Sequence, residues 1–324
     1  MRIRTSRTVL WITGFVLALI VTATIAAEPW PNRPVRLIVP FGSASAPDVA
    51  ARLYAEQLTA RWKRPVIVDN RTGAEGLIGV TAFAGMRDDH VLLFSPAAPI
   101  SVFPLTHEKL AYDPAQDFVP ISSAIDTFGT VAVSASVKVA SLIELVTLAR
   151  AQPGKLNWTS SGGAFQILMA GFTRTAGVDL VEVPYRDQGL AIQDLAGGRI
   201  HVLATTLTPL LPFVQAGKVR LLAVTNKKRA PTVPELPTAL EAGHAELEFE
   251  GLVGFFGWRD MPKTLRDRIS ADVRASAGDT NLVARLATAG QLPHASTAAE
   301  FAAAIEEQRA RMEALVRLTR KPKQ

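Results

Sequence analysis

The chain has 324 residues, a formal net charge of +6 and no cysteine. The missing thiols exclude disulfides, cysteine nucleophiles, thiolate zinc sites and lipid attachment through an N-terminal cysteine. Arg2, Arg4 and Arg7 carry three of the six surplus charges, and the rest are scattered, which argues against nucleic acid as a partner.

After those arginines the run from Thr8 to Ala27 is uncharged and ends in Ala26-Ala27. A basic start, an apolar middle and a small-residue exit predict a signal peptide over residues 1–27, cleaved near Ala26-Ala27, and an exported protein. An uncleaved anchor is the rival reading, because the run is long enough to span a bilayer. Thr13, Gly14, Thr22 and Thr24 dilute its hydrophobicity. The remaining 297 residues suit two domains, each able to bury a core.

Beyond residue 27, apolar β-branched runs alternate with helical patterns, an α/β arrangement. Strands are predicted at Val35–Val39, Val66–Asp69, Val91–Phe94, Val131–Val133, Leu156–Thr159, Leu180–Val183, Ile200–Ala204 and Val219–Val224. Their continuous apolar character predicts burial on both faces, as in parallel sheets. Helices are predicted at Asp48–Arg61, Leu142–Ala151, Phe165–Ala176, Leu190–Ala196 and Pro209–Ala216, with further amphipathic helix from Met261 onward. Ser45-Ala-Pro-Asp48 reads as a capping box, and Ser141 as the cap of the helix it precedes. No flexible linker marks a boundary, so two lobes joined by crossing strands and one large sheet both remain open.

Enzyme signatures are missing from the sequence. The five histidines are far apart, with no HExxH spacing, nucleophile elbow or phosphate loop. Gly73, Gly76 and Gly79 fit a turn and a close helix contact better than a dinucleotide loop. Asp88-Asp89-His90 reads as a polar turn before a strand. Two loops are better candidates. Residues 42–47 and 160–164 each follow a strand and open a helix, where backbone N–H groups and the helix dipole suit an anion. Tyr185-Arg186-Asp187-Gln188 reads either as a source of polar contacts or as an exposed loop, and Phe165 either stacks on a ligand or packs in the core.

At these residues the chain resembles the Bug-type periplasmic solute-binding proteins of the tripartite tricarboxylate transporter system. The resemblance is carried by Trp30–Phe41, Val68–Gly79, Tyr112–Pro120, Pro153–Asn157, Ser160–Gly162, Val183–Tyr185, Asp194–Gly198, Ala216–Thr225 and Val233–Gly243, in order and at family spacing. It implies an α/β, two-lobed periplasmic-binding-protein fold (Venus flytrap, class II), with mixed, mostly parallel sheets flanked by helices. One lobe would be residues 28–128 plus 253–324, and the other 129–252. It further implies a periplasmic, non-enzymatic monomer without cofactor, which closes on a small carboxylate and docks on a membrane permease. A ligand sensor that signals to a membrane receptor, or a degenerate non-transporting copy, would share these motifs.

The chain departs from the family where the ligand should sit. Gly42-Ser43-Ala44-Ser45-Ala46-Pro47-Asp48 replaces a loop usually written Pro-Ala-Gly-Gly-x-Thr-Asp, and Ser95-Pro96-Ala97-Ala98-Pro99 replaces a Gly-Thr-rich turn. The second loop continues into Ala164-Phe165-Gln166, and family aspartates near the strand at 200–204 become His201 and Thr205. The expected ligand-binding set is Ser43, Ala44, Ser45, Asp48, Ser95, Pro96, Ser160, Ser161, Gly162, Ala164, Phe165, Asp187 and Thr205. Polar partners give way to apolar ones, and an apolar pocket cannot solvate a second charge. The expected ligand is therefore a monocarboxylate or aromatic acid.

Overall fold

The computed structural model describes residues 30–43, 45–185 and 187–319. The predicted signal segment and Ala44 lie outside them. In chain order the strands are β1 (Val35–Val39), β2 (Val66–Asn70), β3 (Val91–Pro96), β4 (Phe118–Thr127), β5 (Gly129–Ser134), β6 (Asn157–Ser160), β7 (Val181–Glu182), β8 (Val202–Thr206), β9 (Val219–Val224), β10 (Gly251–Trp258) and β11 (Leu292–Pro293). The longer helices are α1 (Ala46–Trp62), α2 (Leu77–Ala84), α5 (Leu142–Ala151), α6 (Gly163–Ala176), α7 (Gln188–Ala196), α9 (Lys263–Ala277), α10 (Thr280–Thr288) and α11 (Ala298–Thr319), with short turns α3 (Ala98–Ser101), α4 (Phe103–Thr106) and α8 (Leu211–Gln215) between them.

Two sheets form. One has the order β11-β4-β10-β3-β1-β2 and the other β7-β6-β8-β5-β9. Each has a parallel part, β3-β1-β2 and β7-β6-β8, and an antiparallel part made by strands that run between the halves of the molecule. The sheets are mixed as expected, with most strands of each running one way: only β10 and β11 oppose the others in the first sheet, and only β5 in the second. In β1, Val35, Leu37, Ile38 and Val39 are fully buried and only Arg36 emerges, as a strand covered on both faces requires.

Local sequence explains most boundaries. The Ser45 hydroxyl accepts the Asp48 N–H at 3.4 Å, and Pro47 sits in the first turn of α1, where a missing N–H loses nothing. The reciprocal half of the expected capping box is not made; the Asp48 carboxylate turns instead to Asn70 and Arg52. Ser141 caps α5 as expected, and Glu144 Oε2 accepts the Ala140 N–H. The expected helix at Pro209–Ala216 is split into a 3-10 turn, Thr208–Leu210, and α8. Pro212 has no N–H to continue an unbroken α-helix through that point.

The chain passes between the sheets at Phe128, where β4 hands over to β5, and again around Glu250, before β10. The last helix, α11, belongs to both halves. Phe301 and Ile305 pack with Ile38, Phe83 and Phe256 under the first sheet, whereas Met312 and Leu315 pack with Leu168 and Phe172 beside the second. Between them Gln308 donates to the Glu250 carbonyl and accepts from the Ser101 hydroxyl. No helix among the described residues is long and apolar enough to cross a membrane.

Candidate functional site

A cavity of about 180 Å³ opens between the two sheets. Its walls are the carboxyl ends of β1 and β3 (Phe41, Pro96, Ala98, Pro99), the crossing segments (Thr127, Gly129, Phe249, Gly251, Leu252), the end of β8 (Thr206) and the loop entering α6 (Ser161 to Phe165). Glu75, Phe103 and Gln308 complete it. Phe165 and Phe249 meet edge-on with centroids 6.0 Å apart, so one rim is aromatic. In open α/β sheets ligands lie beyond the carboxyl ends of strands, which is where this cavity sits.

The entrance to α6 shows how the second loop is built. Its N-cap is Gly162 at φ +81°, with no side chain to bond the first turn. Ser161 N–H goes to the Ala204 carbonyl and Gly162 N–H to Ser160 Oγ. The N–H groups of Gly163 and Ala164 make no hydrogen bond among the described residues. They point the positive end of a 14-residue helix at the cavity rim.

Of the expected residues, Pro96, Ser161, Gly162, Ala164 and Phe165 line this cavity. The others do not. Ser43 is exposed outside it, and Ser45 is the α1 cap. Asp48 is 2% exposed, and its carboxylate accepts from Asn70 Nδ2 at 2.8 Å and Arg52 Nε at 3.0 Å, so it ties α1 to the end of β2. Ser95 is buried inside the sheet and donates to the Pro96 carbonyl. Ser160 supports the Gly162 N–H from beneath the loop. Asp187 caps α7 by accepting the Leu190 N–H. Thr205 is fully buried and accepts from Gln188 Nε2, while its neighbour Thr206 reaches the cavity. That one-residue difference follows from the alternation of side chains along a strand.

Several cavity residues escaped sequence reasoning. Phe249, Gly251 and Leu252 come from a crossing segment whose glycine-rich sequence gave no strand signal. Glu75 lies in the turn before α2, where the glycines were the visible feature. Those glycines do fit the close packing expected of them: a Cβ on Gly79 would stand 2.5 Å from the Arg71 carbonyl and 2.9 Å from Pro40 Cβ. The Asp88-Asp89-His90 turn is pinned to the fold, with Arg33 on Asp88 and Trp258 Nε1 on Asp89.

A second cavity of about 270 Å³ lies beside the crossing segments and shares Phe249, Leu252 and Gln308 with the first. It is larger, but most of its charges face one another: Lys227 pairs with Glu307, Arg311 with Glu248, and His294 with Asp126. The side-chain hydrogen bond to Asp126 raises the His294 pKa above its ordinary value. The smaller, less charged cavity with open N–H groups is the better candidate.

The family model described as "Tripartite tricarboxylate transporter family receptor" matches residues 50–320. The chain belongs to that family. A curated relative from Pseudomonas sp. strain P51, described as a UPF0065 protein in the tcbD-tcbE intergenic region, is 30% identical over 86% of this chain and 84% of its own. Among solved structures, R. palustris Rpa4515 with adipate is 29% identical with a TM-score of 0.81, over 90% of this chain and 98% of that one. The periplasmic binding protein BugD is 26% identical with a TM-score of 0.76, over 90% and 98%. The fold is thus the two-lobed one of periplasmic solute-binding proteins, and the resemblance in the sequence reflects membership.

Proposed function

We propose that the exported protein captures a small carboxylate of low polarity between its lobes and delivers it to a tripartite tricarboxylate-type membrane permease. The lobes are assigned as 28–128 plus 253–324 and 129–252, with the end of α11 reaching across to the second. The observation that carries the reading is the open first turn of α6 facing a cavity whose far wall is apolar. One ligand carboxylate would lie at the Gly163 and Ala164 N–H groups, with Ser161 beside it. The hydrocarbon or aromatic part would lie against Pro96, Pro99, Phe165 and Phe249. Family membership and a relative solved with adipate support a carboxylate in general. The apolar far wall supports a single charge, since an unpaired carboxylate buried there would be costly. Closure follows from contacts to both lobes at once.

A thermal-shift screen of the mature protein against carboxylates of graded polarity tests this. At a hundred times its dissociation constant, a ligand stabilises the fold by about 2.7 kcal/mol, a readily measured rise in melting temperature. Short-chain or aromatic monocarboxylates are expected to give the rise. Tight binding of a citrate-like polyacid at neutral pH would overturn the low-polarity reading.

A further inference from the structure

The cavity has a charge of its own. Among the described residues Glu75 is the only ionisable side chain lining it. Glu75 belongs to the half built on the first sheet, yet its carboxylate lies against the α6 entrance of the other half. A methyl placed on Gly162 would stand 2.8 Å from Glu75 Oε1 and 3.1 Å from Oε2, and one on Gly163 would stand 3.8 Å from Oε2. The turn that delivers it is unusual. Ala74 and Glu75 both have left-handed backbones, φ +47° and +55°, between Gly73 and Gly76, whose N–H closes on the Gly73 carbonyl at 2.9 Å. Two consecutive non-glycine residues rarely adopt that conformation.

We propose that Glu75 is the charge filter of the cleft: its carboxylate stands against the α6 entrance, beside the place where a ligand carboxylate would meet the α6 N–H groups, so an anionic ligand binds only against its charge, and a second negative charge is rejected. Glu75 acts this way only if the cleft is the carboxylate site proposed above. The physical basis is like-charge repulsion beside a low-dielectric wall. Because Glu75 sits exposed at the mouth, added salt weakens the repulsion.

The test is calorimetric titration of wild type, Glu75→Gln and Glu75→Gly with hexanamide, hexanoate and adipate, which share a six-carbon chain and differ in charge. The glycine variant suits the left-handed backbone and guards against misfolding. Both variants are expected to bind hexanoate about ten-fold tighter than wild type and adipate by a larger factor, with hexanamide unchanged. The gain should shrink in 0.5 M salt. Hexanoate binding of equal or lower affinity in the variants overturns the filter alone. Failure of all three probes to bind any of the proteins overturns the filter together with the carboxylate reading.

Discussion

The loops at 42–47 and 160–164 look alike as sequence, each a strand followed by small and hydroxyl residues and then a helix, yet they end up in opposite roles. In the first, Ser45 caps its own helix, and Asp48 is locked between Asn70 and Arg52. In the second, a glycine stands at the N-cap and the first N–H groups are left open towards the cavity. A helix start that satisfies itself has less to offer a ligand; one capped by glycine keeps its donors available. An open helix start is recognised by what fails to cap it.

The largest test of this difference is Ser161→Trp, which places an indole in the cleft beside the open donors. Affinity for any cleft ligand should fall by about 100-fold or more, equivalent to ~2.8 kcal/mol, with the melting temperature of the free protein little changed. Undiminished affinity would move the ligand elsewhere. Next comes Gly79→Ala, whose methyl would press on Arg71 and Pro40 and shift the turn that carries Glu75. A loss of about 1–3 kcal/mol in unfolding free energy is expected by denaturant titration. Ser45→Ala should cost about 1 kcal/mol of stability through the lost cap while ligand affinity stays put. A drop in affinity without a drop in stability would make the first loop a ligand loop after all.

The smallest effect concerns the crossing region. The pKa of His294 is raised by its hydrogen bond to Asp126, at 2.8 Å. The pair's contribution is therefore complete below the ordinary histidine value of about 6.5 and is lost as pH rises through the raised value. Wild type should exceed His294→Ala in stability by at most about 1 kcal/mol at pH 5.5, because the histidine is half exposed. The gap should close by pH 9, with ligand affinity the same in both proteins.

Legibility in the sequence followed where the information lay. The ends of β1, β9 and α5 match the sequence reading because apolar pattern and caps are local. β10 was invisible because Gly251, Gly254 and Gly257 read as loop, although a Cβ at Gly254 would collide with the Ser122 carbonyl and the Phe301 ring. β4 was obscured by Pro120 and by Ser122-Ser123, whose hydroxyls are bonded to the segment at 294–296. In the site, the loop at 161–165 was readable because a strand, two glycines and a helix adjoin in sequence. Thr206 instead of Thr205, and Glu75 altogether, depended on strand phase and on a left-handed turn, neither of which one sequence specifies.

The helix α11 has a consequence for how the chain is made. It follows every other described element in the chain, and it supplies Phe301 and Ile305 to one core and Met312 and Leu315 to the other. Neither half can close its apolar seat until Ala298–Thr319 has arrived. A chain cut short before Ala298 would therefore expose hydrophobic surface in both halves at once, and would go to proteolysis whole instead of leaving one working lobe behind.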